Sequence, residues 1–184
     1  MPAVLGSLAV VGFVAIEGRL RQGAEARSFQ AGDDDEGTTR EVGAAFPVAL
    51  FAPPLAAVLP GPRLPVALGY LGGLAACGGA GLHVLANRAL GPSYTRTLRV
   101  REGQSLIDTG LYARVRHPGY TGALAMWAGY AVAWRALPGL LALVPLVRAY
   151  SRRIAVEERM LVANLGIPYE RYRERTWRLL PGVY

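Results

Sequence analysis

The chain has 184 residues, of which 52% are apolar and only 18% are charged, and its mean hydropathy is +0.26. Average soluble domains carry about 25% charged residues, so this chain has too little polar surface to cover a water-soluble globule, and its apolar content excludes a disordered chain. Because Cys77 is the only cysteine, the chain cannot be a small module held together by disulfide bonds. All 20 basic residues are arginine, which together with the high Ala and Gly content indicates a GC-rich, bacterial coding genome.

The charges are distributed unevenly along the chain. Residues 88–184 hold 15 Arg against 6 acidic residues, a net charge of +9, whereas residues 1–87 hold 5 Arg against 7 acidic residues, a net charge of −2. A basic stripe can bind nucleic acid, but here the basic segments alternate with long apolar runs, as the cytoplasmic loops of membrane proteins do. We therefore expect no nucleic-acid partner.

In chain order, three apolar runs come first and predict three transmembrane helices within residues 1–90. The runs cover residues 2–16, 43–59 and 64–89. The first is slightly short for a span, and because no basic region precedes it we expect a retained helix rather than a secretory signal. The third has 26 residues, and its Gly69/Gly73 and Ala75/Gly79 pairs have the spacing at which membrane helices pack closely.

A polar loop at 18–42 separates the first two runs and contains four consecutive acidic residues, 33–36. A calcium-binding loop would need glycine at its sixth position, but that position, counted from Asp33, is Thr38. We therefore expect a solvated, flexible loop. The only two histidines, His83 and His117, lie 34 residues apart, so no metal site is expected.

The second half, residues 91–184, begins with a polar segment and continues with an apolar hairpin at 120–150, which is interrupted at 135–138. Each half of the hairpin has about 15 residues, or about 23 Å of helix, which is short for a complete span. The tail, 151–184, is predicted to be helical and is too charged to enter the bilayer. Gly166 is expected to end one helix of this tail.

These features predict an all-α integral membrane protein with about five transmembrane segments, organised as a single domain 1–184. The loop 18–42 holds four arginines, the segment 91–117 holds five and the tail holds seven, whereas the turn 61–63 holds one. Because cytoplasmic loops are enriched in basic residues, the Arg-rich face is expected in the cytoplasm. With the bacterial composition, the predicted location is a bacterial inner membrane.

Polar residues cluster where these segments meet the membrane boundary. Residues 104–112 are followed by Arg-His-Pro at 116–118, and taken alone they could be an interfacial anchor. Arg153 and Glu157 lie four residues apart on one helical face. They could be a surface ion pair, but charges that directly follow an apolar run are costly near a membrane, which favours a functional role.

The ordered motifs of residues 96–184 resemble one membrane-enzyme family. In order they are Gly-Leu-Tyr, Arg-His-Pro-x-Tyr-x-Gly, a hydrophobic hairpin, Arg-x-x-x-Glu-Glu-x-x-Leu, Gly-x-x-Tyr-x-x-Tyr and Arg-Leu-x-Pro. This set resembles the isoprenylcysteine carboxyl methyltransferase family, which is related to the phospholipid N-methyltransferases. The resemblance implies a membrane methyltransferase domain that uses S-adenosyl-L-methionine, releases S-adenosyl-L-homocysteine, and closes its cofactor pocket with the basic tail. Residues 91–184 would then be the catalytic region.

The same resemblance implies roles for individual residues. Arg153 would face the methyl acceptor and Glu157 the cofactor, and these two are the expected catalytic residues. The expected cofactor contacts are Gln104, Ser105, Leu106, Ile107, Tyr112, His117, Pro118, Gly119, Tyr120 and Glu157. The sequence has Gln104 where eukaryotic members carry His, and Gly119 where they often carry Ser.

The reaction that the resemblance implies is methyl transfer to the carboxylate of a lipophilic, isoprenylcysteine-like acceptor reached through the bilayer. Such a carboxylate is ionised at neutral pH and needs no general base, so catalysis would consist mainly of positioning and exclusion of water. The open alternatives are methylation of a phospholipid amine, a small thiol or a quinol-like compound, a reductase that uses NADPH, and a non-catalytic membrane scaffold. Membrane lipids and the acceptor are the expected partners, with no obligate protein partner.

Overall fold

The computed structural model of the chain describes residues 1–20 (side chains for 1–16), 35–91 and 106–183. The described residues form six α-helices and two short 3-10 helices, without a strand among them. The α-helices are α1 (Pro2–Leu20), α2 (Thr38–Val58), α3 (Val66–Leu90), α4 (Pro118–Ala133), α5 (Leu143–Leu165) and α6 (Ile167–Arg175). The 3-10 helices are Gly110–Ala113 and Leu137–Ala142. The predicted all-α class is confirmed for this part of the chain.

Two of the helices, α2 and α3, are long and apolar enough to cross a membrane. The apolar part of α1, Pro2–Ile16, is shorter. Large apolar side chains are exposed on the outer faces of all three helices, where a soluble protein would carry polar residues. Examples are Leu8 and Val11 on α1, Phe51 and Leu55 on α2, and Leu71 and Leu74 on α3. These observations support a membrane protein, whereas the count of five spans remains a prediction.

Helices α3 and α4 are in backbone contact along a stripe of small residues. A Cβ atom added to Gly79 would lie 2.4 Å from the backbone nitrogen of Met126, and one added to Gly129 would lie 2.4 Å from that of Ala76. Only glycine permits such an approach, which maximises van der Waals contact between helices that lipid surrounds. The Gly69/Gly73 and Ala75/Gly79 spacing predicted close packing of α3. Within this stripe Ala75 is exposed, and the neighbouring Ala76 is buried in the contact instead.

Helix α5 differs from the predicted boundary between hairpin and tail. Hydropathy predicted a division after Tyr150, whereas the structure has one continuous helix from Leu143 to Leu165. Its first half packs in the core, where Leu146 and Tyr150 are buried beside residues of α4, and its second half carries the charged residues. Gly166, at φ +60°, ends the helix as predicted. A single rigid element therefore connects the core to the polar cluster.

The prediction of a solvated, flexible loop at 18–42 is wrong for the part of this segment that the structure describes. Helix α2 begins at Thr38 rather than near residue 43. Asp35 is 1% exposed, and Thr38 is fully buried. Both are buried because they pack against the charged half of α5, which the sequence separates from them by more than a hundred residues. The remainder of that loop, including Asp33 and Asp34, lies outside the described residues.

Candidate functional site

Three side chains form a hydrogen-bonded relay between α4 and α5, which we call the Arg153–Tyr120–Glu157 relay. Nε of Arg153 donates to the Tyr120 hydroxyl at 2.9 Å. The same hydroxyl donates to Oε2 of Glu157 at 2.9 Å. The predicted pair of residues on one helical face is thus present, but a tyrosine from another helix bridges it.

The ring of Tyr120 is fixed by aromatic neighbours on two sides. Its centroid lies 5.7 Å from that of His117 and 5.3 Å from that of Tyr150, within the range of favourable aromatic contacts. Helix α4 starts at Pro118 because the residue before a proline is disfavoured in the helical region, and His117 accordingly has φ −123° and ψ 56°. This local rule places Tyr120 in the first turn, facing α5.

The other side of the Arg153 guanidinium contacts the start of α2. Arg153 is only 5% exposed. Its Nη1 donates to Thr39 Oγ1 at 3.1 Å and lies 3.6 Å from Oδ1 of Asp35. The Asp35 carboxylate in turn accepts from the Thr38 hydroxyl at 2.8 Å, and from the backbone N–H and the hydroxyl of Thr39 at 2.9 Å each. The two halves of the chain therefore meet at Arg153.

A second group, the Glu158 cluster, consists of Glu158, Arg116, His117 and Arg178. Glu158 is 3% exposed and accepts from Nε of Arg116 at 2.9 Å and from Nη2 of Arg178 at 2.5 Å. Nε2 of His117 lies 3.3 Å from the same carboxylate. Burial opposes ionisation of Glu158, but the hydrogen bonds from His117, Arg178 and Arg116 outweigh it and hold the pKa well below its usual range.

Part of the basic tail, residues 173–178, pairs with residues 114–117, the segment that precedes α4. The backbone N–H groups of Arg116 and His117 donate to the carbonyls of Trp177 and Arg178 at 2.8 and 3.1 Å, and Trp177 N–H donates to the Arg114 carbonyl at 2.9 Å. The guanidinium of Arg116 also donates to the carbonyls of Arg173 and Thr176. The tail thereby lies directly beside the Glu158 cluster.

The remaining predicted cofactor contacts occupy several environments. Tyr112 is buried, its hydroxyl donates to the Ala86 carbonyl at 3.3 Å, and its own carbonyl accepts from Tyr172. The carbonyl of Gly119 lies 2.9 Å from Nδ1 of His83. Pro118 is buried at the start of α4, and Leu106 and Ile107 are half-buried without a hydrogen bond to the relay. Gln104 and Ser105 lie outside the described residues.

Two polar atoms beside the relay suit a ligand with hydrogen-bonding groups. The hydroxyl of Tyr169 is buried and has no hydrogen-bond partner in the described part of the chain. Burial, and to a lesser extent the negative charges of Glu158 and Glu157, raise the pKa of the Tyr169 hydroxyl. The hydroxyl therefore keeps its proton and can donate a hydrogen bond. Among the described side chains Glu157 forms one hydrogen bond, at Oε2, so Oε1 can accept another. An ammonium group and a polar acceptor atom, both present in S-adenosyl-L-methionine, fit this pair.

Sequence reasoning missed Glu158 and Asp35. The Glu-Glu doublet gave a signal for Glu158, since a helix turns about 100° per residue and the two carboxylates must therefore face different neighbours. Asp35 gave none, because an acidic run next to a polar loop is ordinarily solvated. Within 1–20, 35–91 and 106–183, no group of three or more His, Cys, Asp or Glu is arranged to hold a metal ion.

Residues 73–163 match the sequence model of the isoprenylcysteine carboxyl methyltransferase (ICMT) family. These residues, which we call the ICMT region, are similar to that family. The ICMT region contains the whole Arg153–Tyr120–Glu157 relay, together with Glu158, Arg116 and His117, but neither Asp35 nor residues 164–184. The match to this family model and the two apolar helices together indicate a membrane protein.

Relatives extend the similarity beyond the matched region. The chain is 32% identical over 117 residues to a "Probable protein-S-isoprenylcysteine O-methyltransferase" of Oryza sativa subsp. indica, which covers 62% of this chain and 61% of that protein. It is 33% identical over 124 residues to the "Protein-S-isoprenylcysteine O-methyltransferase" of Schizosaccharomyces pombe, which covers 64% of this chain and 49% of that protein. The alignments thus span between about half and three fifths of these relatives.

Proposed function

We propose that the protein is a membrane methyltransferase that uses S-adenosyl-L-methionine to methylate the carboxylate of a lipophilic, isoprenylcysteine-like acceptor. The observation that carries this proposal is the Arg153–Tyr120–Glu157 relay inside the ICMT region. It sets a cation and a carboxylate a fixed distance apart across one tyrosine hydroxyl. The names of the relatives supply the reaction, and the relay supplies groups that suit both reactants.

Each residue of the relay has a proposed task. When bound, S-adenosyl-L-methionine supplies a methyl group already activated on a sulfonium. Glu157 would accept a hydrogen bond from the ammonium group of the cofactor, and Tyr169 would donate to one of its acceptor atoms. Arg153 would hold the acceptor carboxylate by a charge-assisted contact. Tyr120 would hold Arg153 and Glu157 at a fixed separation, because a misplacement of about 1 Å at a reacting group can cost about 100-fold in rate.

The other predicted contacts remain part of the proposal. Gln104, Ser105, Leu106 and Ile107 would line the cofactor pocket through their backbone, and Pro118 and Gly119 through the first turn of α4. Tyr112 and His117 already make internal hydrogen bonds, so we propose that they support the pocket wall. The tail would close the pocket on the cytoplasmic side of a bacterial inner membrane, with 1–184 acting as one domain.

The experiment combines binding and transfer on detergent-purified protein. Calorimetry measures S-adenosyl-L-methionine binding to wild type, Glu157→Ala and Arg153→Ala, with Arg148→Ala as a control on the exposed face of α5. We expect wild type, Arg153→Ala and Arg148→Ala to bind and Glu157→Ala not to bind. Folded wild-type protein that binds no cofactor would overturn the proposal.

Acceptor chemistry is then tested with a matched pair of substrates. An S-prenylated cysteine derivative with a free carboxylate is compared with the same compound whose carboxyl is a primary amide. Labelled methyl should enter only the free acid, as a base-labile ester, and Arg153→Ala should abolish the transfer. Vesicles containing a phospholipid amine and a small lipophilic thiol serve as further acceptors. Transfer to either of them and not to the acid would refute the carboxylate assignment.

A further inference from the structure

Asp35 stands outside the ICMT region and is nevertheless the most completely buried acidic residue described, at 1% exposure. A buried carboxylate is costly unless hydrogen bonds and an opposite charge compensate it. The hydroxyls of Thr38 and Thr39 and one backbone N–H supply the hydrogen bonds. Among the described residues, the opposite charge comes from Arg153, whose Nη1 lies 3.6 Å from Oδ1.

Two exposed ion pairs hold this part of the chain against α5. The Glu36 carboxylate accepts from Nη2 of Arg159 at 2.7 and 2.8 Å. Arg152 pairs with the carboxylate of Glu41 and donates to the Glu36 carbonyl at 3.1 Å. Each exposed pair contributes little to stability, so the buried carboxylate of Asp35, and not its exposed neighbours, is the group that acts on α5.

The guanidinium of Arg153 therefore lies between two carboxylates. Asp35 and Thr39 contact it at Nη1, and Tyr120 contacts it at Nε on the path to Glu157. Arg153 and Glu157 are four residues apart on one helix, a spacing at which oppositely charged side chains can pair directly. A direct pair would occupy the carboxylate assigned to the cofactor. The attraction between Asp35 and the Arg153 guanidinium opposes direct pairing of Arg153 with Glu157 and keeps the Tyr120 hydroxyl between these two side chains.

We propose that Asp35 is a positioning residue of the methyl-transfer site, which acts through Arg153 and touches neither reactant. This inference rests on the proposed function. It assigns to the N-terminal half of the chain a specific part in the chemistry: the charge of Asp35 aims Arg153 at the acceptor and leaves Glu157 to the cofactor.

Asp35 lies three residues before α2 and accepts a hydrogen bond from the backbone N–H of Thr39 in its first turn. This capping contact alone would explain its burial. Two substitutions separate the roles. Asp35→Asn keeps a side chain that caps a helix about as well as Asp but loses the charge. Asp35→Glu keeps the charge but lengthens the side chain and disturbs the cap. Positioning by charge predicts that Asp35→Glu retains more methyl transfer than Asp35→Asn, whereas a capping role predicts the reverse order.

The kinetic test measures kcat and KM for the free-acid acceptor in wild type, Asp35→Asn, Asp35→Glu and the control Glu36→Gln. A displacement of about 1 Å at a reacting group can cost about 100-fold in rate, so we expect kcat/KM of Asp35→Asn to fall at least about 10-fold. Glu36→Gln removes the same charge from the next residue and should stay within about twofold of wild type. Equal kcat/KM in Asp35→Asn and wild type would overturn the inference.

A second measurement does not depend on turnover. Labelling with an arginine-specific dicarbonyl, followed by mass spectrometry, reports how firmly the Arg153 guanidinium is held. Asp35→Asn should change the labelling rate of Arg153 and leave that of Arg148 unchanged, and an unchanged Arg153 rate would refute the contact itself. If wild type neither binds cofactor nor transfers methyl, the proposed function fails and the positioning role fails with it, even where labelling confirms the contact.

Discussion

Replacing Glu158 by glutamine should release the tail from the segment that precedes α4. The substitution is nearly isosteric and removes one negative charge from between two arginines. The side chain of Arg116 is 10% exposed and that of Arg178 is 24% exposed. Removing one partner of a buried ion pair typically costs about 3–5 kcal/mol, because the remaining charge stays buried without compensation. Since Arg178 can turn toward water, we expect a value near the lower end, about 3 kcal/mol.

Hydrogen exchange followed by mass spectrometry measures this loss where it occurs. The reporters are the backbone N–H groups of Arg116, His117 and Trp177, which pair the two segments. A loss of about 3 kcal/mol corresponds to roughly 100-fold faster opening, since each 1.4 kcal/mol is tenfold. Glu170→Gln, at an exposed position on α6, is the matched control and should leave the exchange unchanged. If these amides exchange equally slowly in Glu158→Gln and wild type, the Glu158 cluster does not hold the tail.

Three further perturbations test other parts of the structure. Hydrogen bonds lower the pKa of Glu158, so its contribution to docking is fully present above the unfolded pKa of about 4.3 and is lost as the pH falls through the folded pKa. The protection of the tail amides, expressed relative to their intrinsic exchange rates, should therefore decrease below about pH 4 in wild type and much less in Glu158→Gln. Gly122→Ala places a Cβ atom 2.5 Å from a backbone nitrogen of α3 and should cost about 1–3 kcal/mol in a thermal unfolding assay. Gly78→Ala, with nothing within 4 Å, should leave the stability unchanged or raise it by up to about 1 kcal/mol, because alanine favours a helix more than glycine does. Tyr120→Phe removes the hydroxyl that receives Nε of Arg153 and should lower methyl transfer at least about 10-fold while the helical circular dichroism is retained.

Features set by local spacing were predictable from the sequence. The glycine pattern of α3 predicted a close helix contact because small residues at helical spacing form a continuous stripe. Arg153 and Glu157 were placed on one face because four residues make about one helical turn. Gly166 ended α5 because glycine adopts a positive φ without strain. Each inference needed only a few neighbouring residues.

Features set by contacts between distant segments were not predictable in this way. The hydroxyl of Tyr120 enters the relay from 33 residues away from Arg153, and no periodicity encodes that distance. Asp35 was expected to be solvated because its neighbours are acidic, yet hydrogen bonds from Thr38 and Thr39 and the charge of Arg153 on α5 compensate its burial. Hydropathy also divided α5 near Tyr150, although no glycine or proline interrupts the sequence there. A helix ends where its backbone is interrupted and not where its polarity changes.

The pairing of Trp177 with Arg114 has a consequence for biosynthesis. A ribosome delivers the chain from its N-terminus, so α1 to α5 emerge and can enter the membrane before Trp177 and Arg178 emerge. A chain truncated after residue 170 would contain the relay but leave Glu158 without Arg178. We expect such a chain to insert normally and to transfer no methyl group. Comparing released chains that end at residues 170 and 184, for insertion and for methylation, would separate assembly of the relay from docking of the tail.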